Sequence, residues 1–211
     1  MRGSGDIGGE CSVRPALVIG DRFAWAHLPK AAGDATHRML CAVPGLVRFA
    51  DPPDSNDKHL PFFARESEIA GKLLVMNIRR LPAWTLSGAH HQAIHGVHPH
   101  YSPLPLQSAD EMTSKTDADD LLRWMTDHGR LRVGRWLRAE ALEDDVIGLL
   151  GELGVLTDDT RAAVHGVGRV NVGSYDRGRE FTDEQLSRLY RLNPTWAAIE
   201  RAVYGAGYRG A

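Results

Sequence analysis

Residues 23–42 read FAWAHLPKAAGDATHRMLCA and decide the fold of this chain. Their first part, residues 23–28, is a short apolar and aromatic run that is typical of a buried strand. Residues 34–42 favour a helix, and residues 29–33 form the loop between the two. A helix that begins directly after a parallel strand presents unpaired N–H groups and the positive end of its dipole. The stretch therefore predicts an anion site at the loop.

Strand and helix patterns alternate along the rest of the chain. Residues 46–49 favour a second strand, residues 72–78 form a continuously apolar strand, and a short strand is expected at 134–138. Residues 79–91 predict a loop that enters a helix. Further helices are expected to start at 117, to run over 143–153, to start after a cap at 182, and to close the chain. This alternation predicts an α/β, P-loop-like three-layer fold whose central, mainly parallel sheet is flanked by helices.

The domain organisation is simple. The Gly-rich residues 1–14 are expected to be flexible, and residues 15–211 to form a single domain. Residues 92–116, rich in His, Pro and Ser, predict a long loop or lid, and residues 165–180 are loop-like.

Composition excludes several function classes. The chain has 211 residues, a net charge of −2 and 43% hydrophobic residues, which suits one globular domain and gives no reason to expect nucleic-acid or membrane-surface binding. Cys11 and Cys41 build neither a disulfide framework nor a zinc pattern. With no signal peptide and no long apolar run, we expect a soluble cytoplasmic protein. Only four of the 25 basic residues are lysines, Lys30, Lys58, Lys72 and Lys115, so each is informative.

The loop at 29–33 has its own chemistry. Lys30 adds a point charge, and Gly33 allows the backbone to approach a phosphate closely. The pattern G-x-x-x-x-G-K-[ST] is missing, and the lysine precedes the glycine, which disfavours ordinary kinases and NTPases.

The segment from His27 to Ala35 resembles the 5′-phosphosulfate loop of sulfotransferases that use 3′-phosphoadenosine 5′-phosphosulfate (PAPS). That loop follows a strand with roughly P-K-[ST]-[AG]-[GT]-[ST]. Here Asp34 and Ala35 replace the usual Thr/Ser pair. The resemblance implies that the 5′-phosphosulfate would be held by Lys30, Ala31, Ala32, Gly33, Asp34 and Ala35, with Thr36 nearby.

A second motif follows the strand at 73–78. Its sequence, RRLPAWTLS over residues 79–87, resembles the sulfotransferase pattern of an arginine, a proline and a serine eight residues after the arginine. The resemblance implies that Arg79 and Ser87 bind the 3′-phosphate of PAPS, and arginine suits a phosphate because its guanidinium is a charged fork. Arg80 is the alternative to Arg79.

A third motif lies between the first two. Lys58-His59-Leu60-Pro61 resembles the Lys-Thr-His-Leu-Pro stretch of cytosolic sulfotransferases, which implies that His59 is the catalytic base and that Lys58 assists. Glu66 or Asp57 would be the local base if a carboxylate serves instead. The Arg-Lys-Gly signature of cytosolic members is missing, and Arg169 is the candidate to supply its charge.

Together these motifs imply an enzyme that moves a sulfuryl group from PAPS, as co-substrate, to the hydroxyl of a small-molecule acceptor without a metal. One alternative is a nucleotide-dependent phosphotransferase with a degenerate phosphate loop. Another is a non-catalytic relative that binds nucleotide or a partner. Acceptor identity and oligomeric state stay open.

Two further groups of side chains bear on the acceptor side. Five histidines lie between residues 90 and 100, and His91 and His95 are four apart, as zinc sites on a helix require. The favoured interpretation is a polar lid or a solvated loop without metal. The tryptophans at 25, 84, 124 and 136 could line an acceptor pocket, although such residues more often belong to the core.

Overall fold

A computed structural model describes residues 17–50, 59–95, 105–168, 170 and 181–205. Within these ranges four strands form one mixed sheet in the order β1 to β4. The strands are β1 Leu17–Ile19, β2 Phe23–Ala26, β3 Leu73–Ile78 and β4 Arg135–Arg138. β1 pairs antiparallel with β2, while β2, β3 and β4 are parallel. This confirms the α/β class with a mostly parallel sheet flanked by helices.

The helices of the described ranges alternate with these strands. They are α1 Gly33–Ala42, α2 Glu66–Ile69, α3 Leu81–His95, α4 Ala109–Thr113, α5 Asp117–Met125, α6 Leu142–Glu152, α7 Asp158–Val167, α8 Asp183–Leu192 and α9 Pro194–Tyr204. Short 3₁₀ turns precede α2 and α6. The expected helices at 34–42, from 117, over 143–153 and after the Thr182 cap are all present, and Thr182 forms a capping box with Gln185.

Apolar side chains alternate between the two faces of the sheet. Phe23 and Trp25 of β2 pack in a core cluster with residues of α1 and α6, whereas Ala24 and Ala26 pack in a second cluster with residues of α3, α5 and α9. Because both faces are covered, β2 and the last five residues of β3 are buried without interruption.

Three expectations about local structure were wrong. Residues 46–49 do not form a strand, because only Phe49 pairs with the sheet, through a single antiparallel bridge to Ile19. The additional strand of the sheet is β1, which pairs with β2. The stretch 92–116 is not loop throughout: α3 continues to His95, and α4 begins after a Ser108 capping box. Residues 165–167 are not loop but end α7, a helix that begins after a Thr157 capping box and that was not expected from the sequence. Residues 171–180 lie outside the described ranges.

The carboxyl ends of the three parallel strands lie at one edge of the sheet. β2 ends at Ala26 and leads through the loop 27–32 into α1, while β3 ends at Ile78 and leads through two arginines into α3. This edge is where parallel sheets bind ligands. Among the described helices, none combines the length and the apolar character that crossing a bilayer demands.

Candidate functional site

The loop between β2 and α1 has an unusual backbone. Lys30 and Ala32 have φ angles of 62° and 67°, in the left-handed region that non-glycine residues rarely adopt. That conformation costs about 1–2 kcal/mol per L-residue. Left-handed residues set between ordinary ones form concavities of N–H groups that bind anions. The backbone of the loop is therefore strained, and its strained conformation is one that anion-binding loops adopt.

Most carbonyl groups of this loop are already occupied. Five of the six carbonyls from residue 27 to residue 32 accept hydrogen bonds from described donors. The bonds run from His59 Nδ1 to His27 (3.2 Å), the Ala31 N–H to Leu28 (3.3 Å), Trp84 Nε1 to Pro29 (2.8 Å), Arg79 to Lys30 (3.2 Å) and Thr36 to Ala32 (3.1 Å). Because the acceptors are engaged, the loop and the start of α1 offer a ligand mainly N–H donors.

A buried chain of hydrogen bonds ties the loop to the sheet. The Trp25 indole donates to Asn77 Oδ1 (2.7 Å), Asn77 Nδ2 donates to the Thr36 hydroxyl (2.8 Å), and that hydroxyl donates to the Ala32 carbonyl (3.1 Å). All three side chains are at most 1% exposed. The Thr36 hydroxyl thus accepts one hydrogen bond and donates another, and it helps to shape the loop. Through it, this chain of hydrogen bonds supports Ala32 at its left-handed φ.

The close packing of His27 explains the glycine at the start of α1. A Cβ atom built on Gly33 would lie 1.9 Å from the His27 ring. His27 is 7% exposed, and its ring lies 4.5 Å from that of His59, edge to face. Gly33 is therefore required by this histidine, which occupies the space beside the loop.

The two arginines after β3 have different partners. Arg79 is half-buried, donates to the Lys30 carbonyl at 3.2 Å, and has a buried Nε without a hydrogen-bond partner. Arg80 instead pairs with the buried Glu200 at 3.1 Å and lies 4.1 Å above the Tyr204 ring. Among the described residues, no carboxylate forms an ion pair with Arg79. Of the two, Arg79 is the one whose charge faces the loop.

His59 is held by a backbone acceptor. Its Nδ1 lies 3.2 Å from the His27 carbonyl oxygen, and a carbonyl can only accept, so Nδ1 carries the proton. In the neutral ring Nε2 then has the lone pair and can take a proton. His59 is half-buried and lines a cavity. The arrangement suits a general base.

Lys30 and His59 line the same cavity, which has a volume of about 430 Å³. Helix α3 contributes Trp84 and Ala89, and α5 and α8 supply further apolar wall through residues such as Leu121 and Leu189. This size is in the range of small-molecule sites. The structure thus brings together two of the predicted catalytic residues, from separate sequence motifs, around one space.

Other predicted site residues are placed differently. Ser87 is buried in the second turn of α3, not at its start, and is not among the residues that line the cavity. Asp34 and Ala35 occupy the first turn of α1. Lys58, Asp57 and Arg169 lie outside the described residues.

Glu66, the alternative base, is exposed and bound to Arg130 by two hydrogen bonds of 2.8 and 3.0 Å. These bonds lower the pKa of its carboxyl group, which makes it a weaker base. Since Glu66 is also absent from the cavity lining, the geometry favours His59.

The histidine run is partly helical. His91 and His95 lie on one face of α3 with ring centroids 4.6 Å apart, and His91 lines the cavity. Within the described ranges, no group of three or more potential metal ligands comes together. His98 and His100 lie outside those ranges.

The four tryptophans that the sequence suggests for an acceptor pocket divide between the site and the rest of the fold. Trp84 lines the cavity and bonds to the loop, Trp25 is buried beneath the loop, Trp124 is exposed and Trp136 is half-buried.

Several residues of the site could not be predicted from the sequence. Asn77 contacts Thr36, and His27 contacts His59, only because the fold brings these residues together. In the sequence, the one signal for Asn77 and His27 is that each is a polar residue within an apolar run. The cavity residues Gln92, Gln107 and Lys115 fall in a stretch expected to be loop.

Comparisons with known proteins gave no match, whether with protein-family models, curated sequences or solved structures.

Proposed function

We propose that the protein is a sulfotransferase that uses PAPS as co-substrate. The observation that carries this proposal is the loop of residues 27–32, in which most carbonyls are engaged and from which Pro29 and Lys30 line the cavity that also holds His59. An anion-binding loop and a base on one cavity are what transfer from an anionic donor to a hydroxyl requires. The three motifs occur in the family's order, which supplies the donor's identity.

The chain's residues have distinct roles in this reaction. His59 Nε2 accepts the proton of the acceptor hydroxyl as its oxygen attacks the sulfur of PAPS. The new S–O bond forms in line with the breaking bond between sulfur and the bridging oxygen, whose electron pair leaves with 3′-phosphoadenosine 5′-phosphate (PAP). Lys30 and the loop N–H groups stabilise the charge that grows on this oxygen. Lys58 would assist, and the resemblance assigns Arg169 to the nucleotide.

The 3′-phosphate is assigned to Arg79 and Ser87 by the same resemblance. Arg79 supports this assignment because its charge has no described carboxylate partner and its buried Nε donor is unused. Arg80 is the weaker candidate since it is bound to Glu200. Thr36 contributes by shaping the loop.

A nucleotide-dependent phosphotransferase is less well supported. Such enzymes hold Mg²⁺ through carboxylates near strand ends. After β4 the nearest carboxylates are engaged elsewhere: Asp145 binds Arg138 at 2.6 Å, and Glu140 binds the Tyr204 hydroxyl. A non-catalytic nucleotide-binding relative differs from the proposed enzyme only in turnover.

Calorimetric titration with PAP, and with ATP as the alternative ligand, tests the proposal. We expect micromolar PAP binding and little response to ATP. Arg79→Ala should weaken PAP binding about tenfold or more, because hydrogen bonds to a charged phosphate contribute about 1.5–3 kcal/mol. Arg48→Ala is the matched control, since Arg48 is exposed and pairs with Asp21 before β2, at the opposite edge of the sheet.

Absence of PAP binding by the folded protein would reject the proposal. Preferential ATP binding would favour the phosphotransferase. If PAP binds, labelled PAPS with a panel of hydroxyl acceptors separates an enzyme from a non-catalytic relative.

A further inference from the structure

The cavity that holds Lys30 and His59 has a second polar end. Trp84, in the first turn of α3, bonds to the loop through Pro29. Gln92 also lines the cavity, eight residues further along the same helix, which is ~12 Å at 1.5 Å per residue. Ala89 lies between them on α3. The cavity thus extends from the loop of residues 27–32 toward a distal end that contains Gln92.

Three side chains at the distal end form a directed chain of hydrogen bonds. Lys115 Nζ donates to Gln107 Oε1 at 3.0 Å, and Gln107 Nε2 donates to Gln92 Oε1 at 3.5 Å. An ammonium group cannot accept, so it fixes the Gln107 carbonyl toward itself and its amide N–H toward Gln92. The Gln92 carbonyl must then face Gln107, which turns the Gln92 NH₂ group the other way. All three residues line the cavity, and the distal end is rich in donors.

Lys115 and Asp117 bring one positive and one negative charge to this part of the cavity, and the pair between them is loose. Lys115 Nζ lies 4.0 Å from Asp117 Oδ2, and the side chains are 37% and 61% exposed. An exposed ion pair at that distance is weak. A ligand carboxylate that binds both the ammonium and the donor chain would form stronger, charge-assisted hydrogen bonds. The apolar wall between the ends comes from residues that include Ala89, Met112, Ala118, Leu121 and Leu189.

We infer that the acceptor is an elongated hydroxy acid: its hydroxyl lies at His59, an apolar body fills the cavity, and its carboxylate binds Lys115 and Gln92 at the distal end. Lys115 is then a specificity-determining residue. This inference rests on the proposed function for the role of the hydroxyl, whereas the carboxylate subsite rests on the cavity alone.

Calorimetric titration of PAP-saturated protein with two matched probes tests the inference. para-Hydroxyphenylpropanoate carries the carboxylate, and para-propylphenol has the same body without it. We expect the acid to bind about tenfold more tightly than the phenol, the effect of one charge-assisted contact. Lys115→Met should abolish this preference and leave para-propylphenol affinity unchanged, while Lys115→Arg should keep most of the preference. Asp117→Asn should tighten binding of the acid by removing a competing carboxylate.

Equal affinity for the two probes, or a preference that survives Lys115→Met, would overturn the inference. Failure of the proposed function is visible separately, because it appears in the PAP titration itself. The two probes can be titrated into nucleotide-free protein as well, so the carboxylate subsite is judged whether or not PAP binds.

Discussion

His59 keeps the same hydrogen bond in both of its protonation states. Its Nδ1–H donates to the His27 carbonyl, and gaining a proton at Nε2 does not disturb that bond. The ring can therefore accept a proton without turning.

Replacing His59 tests its role as the base. We expect His59→Ala to lower kcat about 10²-fold or more, in line with general-base contributions, while PAP affinity stays near that of the native protein. Steady-state rates with labelled PAPS and calorimetry measure the two quantities. His95→Ala is the control, because His95 is exposed at the end of α3 and is not among the cavity residues. Unchanged turnover in the His59 variant would remove it from the chemistry.

Substituting Gly33 tests the close packing beside the loop, and the same substitution at Gly166 serves as the control. A Cβ at Gly33 meets the buried His27 ring, whereas a Cβ at Gly166, in α7, has nothing within 4 Å. Gly33→Ala should lower the free energy of unfolding by about 1–3 kcal/mol through overpacking. Gly166→Ala should raise it by up to about 1 kcal/mol, since alanine is the better helix former. Urea denaturation measures both, and equal effects would contradict the close packing of His27.

At the scale of elements, the loop, β2, β3 and α1 act as one unit. The chain from Trp25 through Asn77 and Thr36 to the Ala32 carbonyl links two neighbouring strands to the start of the helix. Asn77 is 52 residues from Trp25 and 41 from Thr36 in the sequence. The shape of the loop therefore depends on the pairing of the strands as much as on its own sequence.

Thr36→Val tests this linkage. Valine keeps the shape but leaves the buried Asn77 amide without an acceptor, so we expect a loss of about 1–3 kcal/mol in unfolding free energy and weaker PAP binding. Thr126→Val is the control: Thr126 also donates to the carbonyl four residues earlier, but at the end of α5. It should leave PAP binding unchanged. If both variants bind PAP like the native protein, the buried chain does not shape the loop.

Some of these elements could be predicted from local signals, and others could not. The apolar run 23–28 and the loop that follows it carry their pattern within a few residues, so β2 and α1 were found. Asn77 could not be placed because its partners depend on the register of β2 against β3. β1 has only three residues, too few for a period to be visible. The Gln92–Gln107–Lys115 chain spans a stretch whose prolines and histidines suggested a loop.

At the scale of the whole molecule, α9 braces the site from outside. Trp196 donates to the Arg79 carbonyl at 3.0 Å, and the Tyr204 hydroxyl, which donates to Glu140, lies 3.3 Å from the Ile78 carbonyl oxygen. Burial, with a contribution from Glu140, raises the pKa of Tyr204, so its hydroxyl remains a donor at neutral pH. Glu200 accepts from Arg80, the Leu81 N–H and Tyr190. The C-terminal helix thus holds the end of β3 and the start of α3.

Glu200→Gln tests this brace. Glu200 is 1% exposed, and breaking its pair with Arg80 leaves a charge without its partner, so we expect a loss of about 3–5 kcal/mol in unfolding free energy. The expected change for Glu152→Gln, an exposed carboxylate in α6, is within about 0.5 kcal/mol. Thermal and urea denaturation compare the two. A Glu200 variant as stable as the control would show that α9 is not braced by this residue.

The engaged carbonyls of the loop also bear on the order of folding. Their donors come from His59, the end of β3, α3 and α1, so the loop can reach its left-handed shape only after these segments have assembled. In a partly folded chain, the loop would lack the hydrogen-bond donors that hold its carbonyls. Slow exchange of the Ala31 N–H, which donates to the Leu28 carbonyl within the loop, would consequently report completed assembly, and the proposed anion site would be among the last features that the folding chain forms.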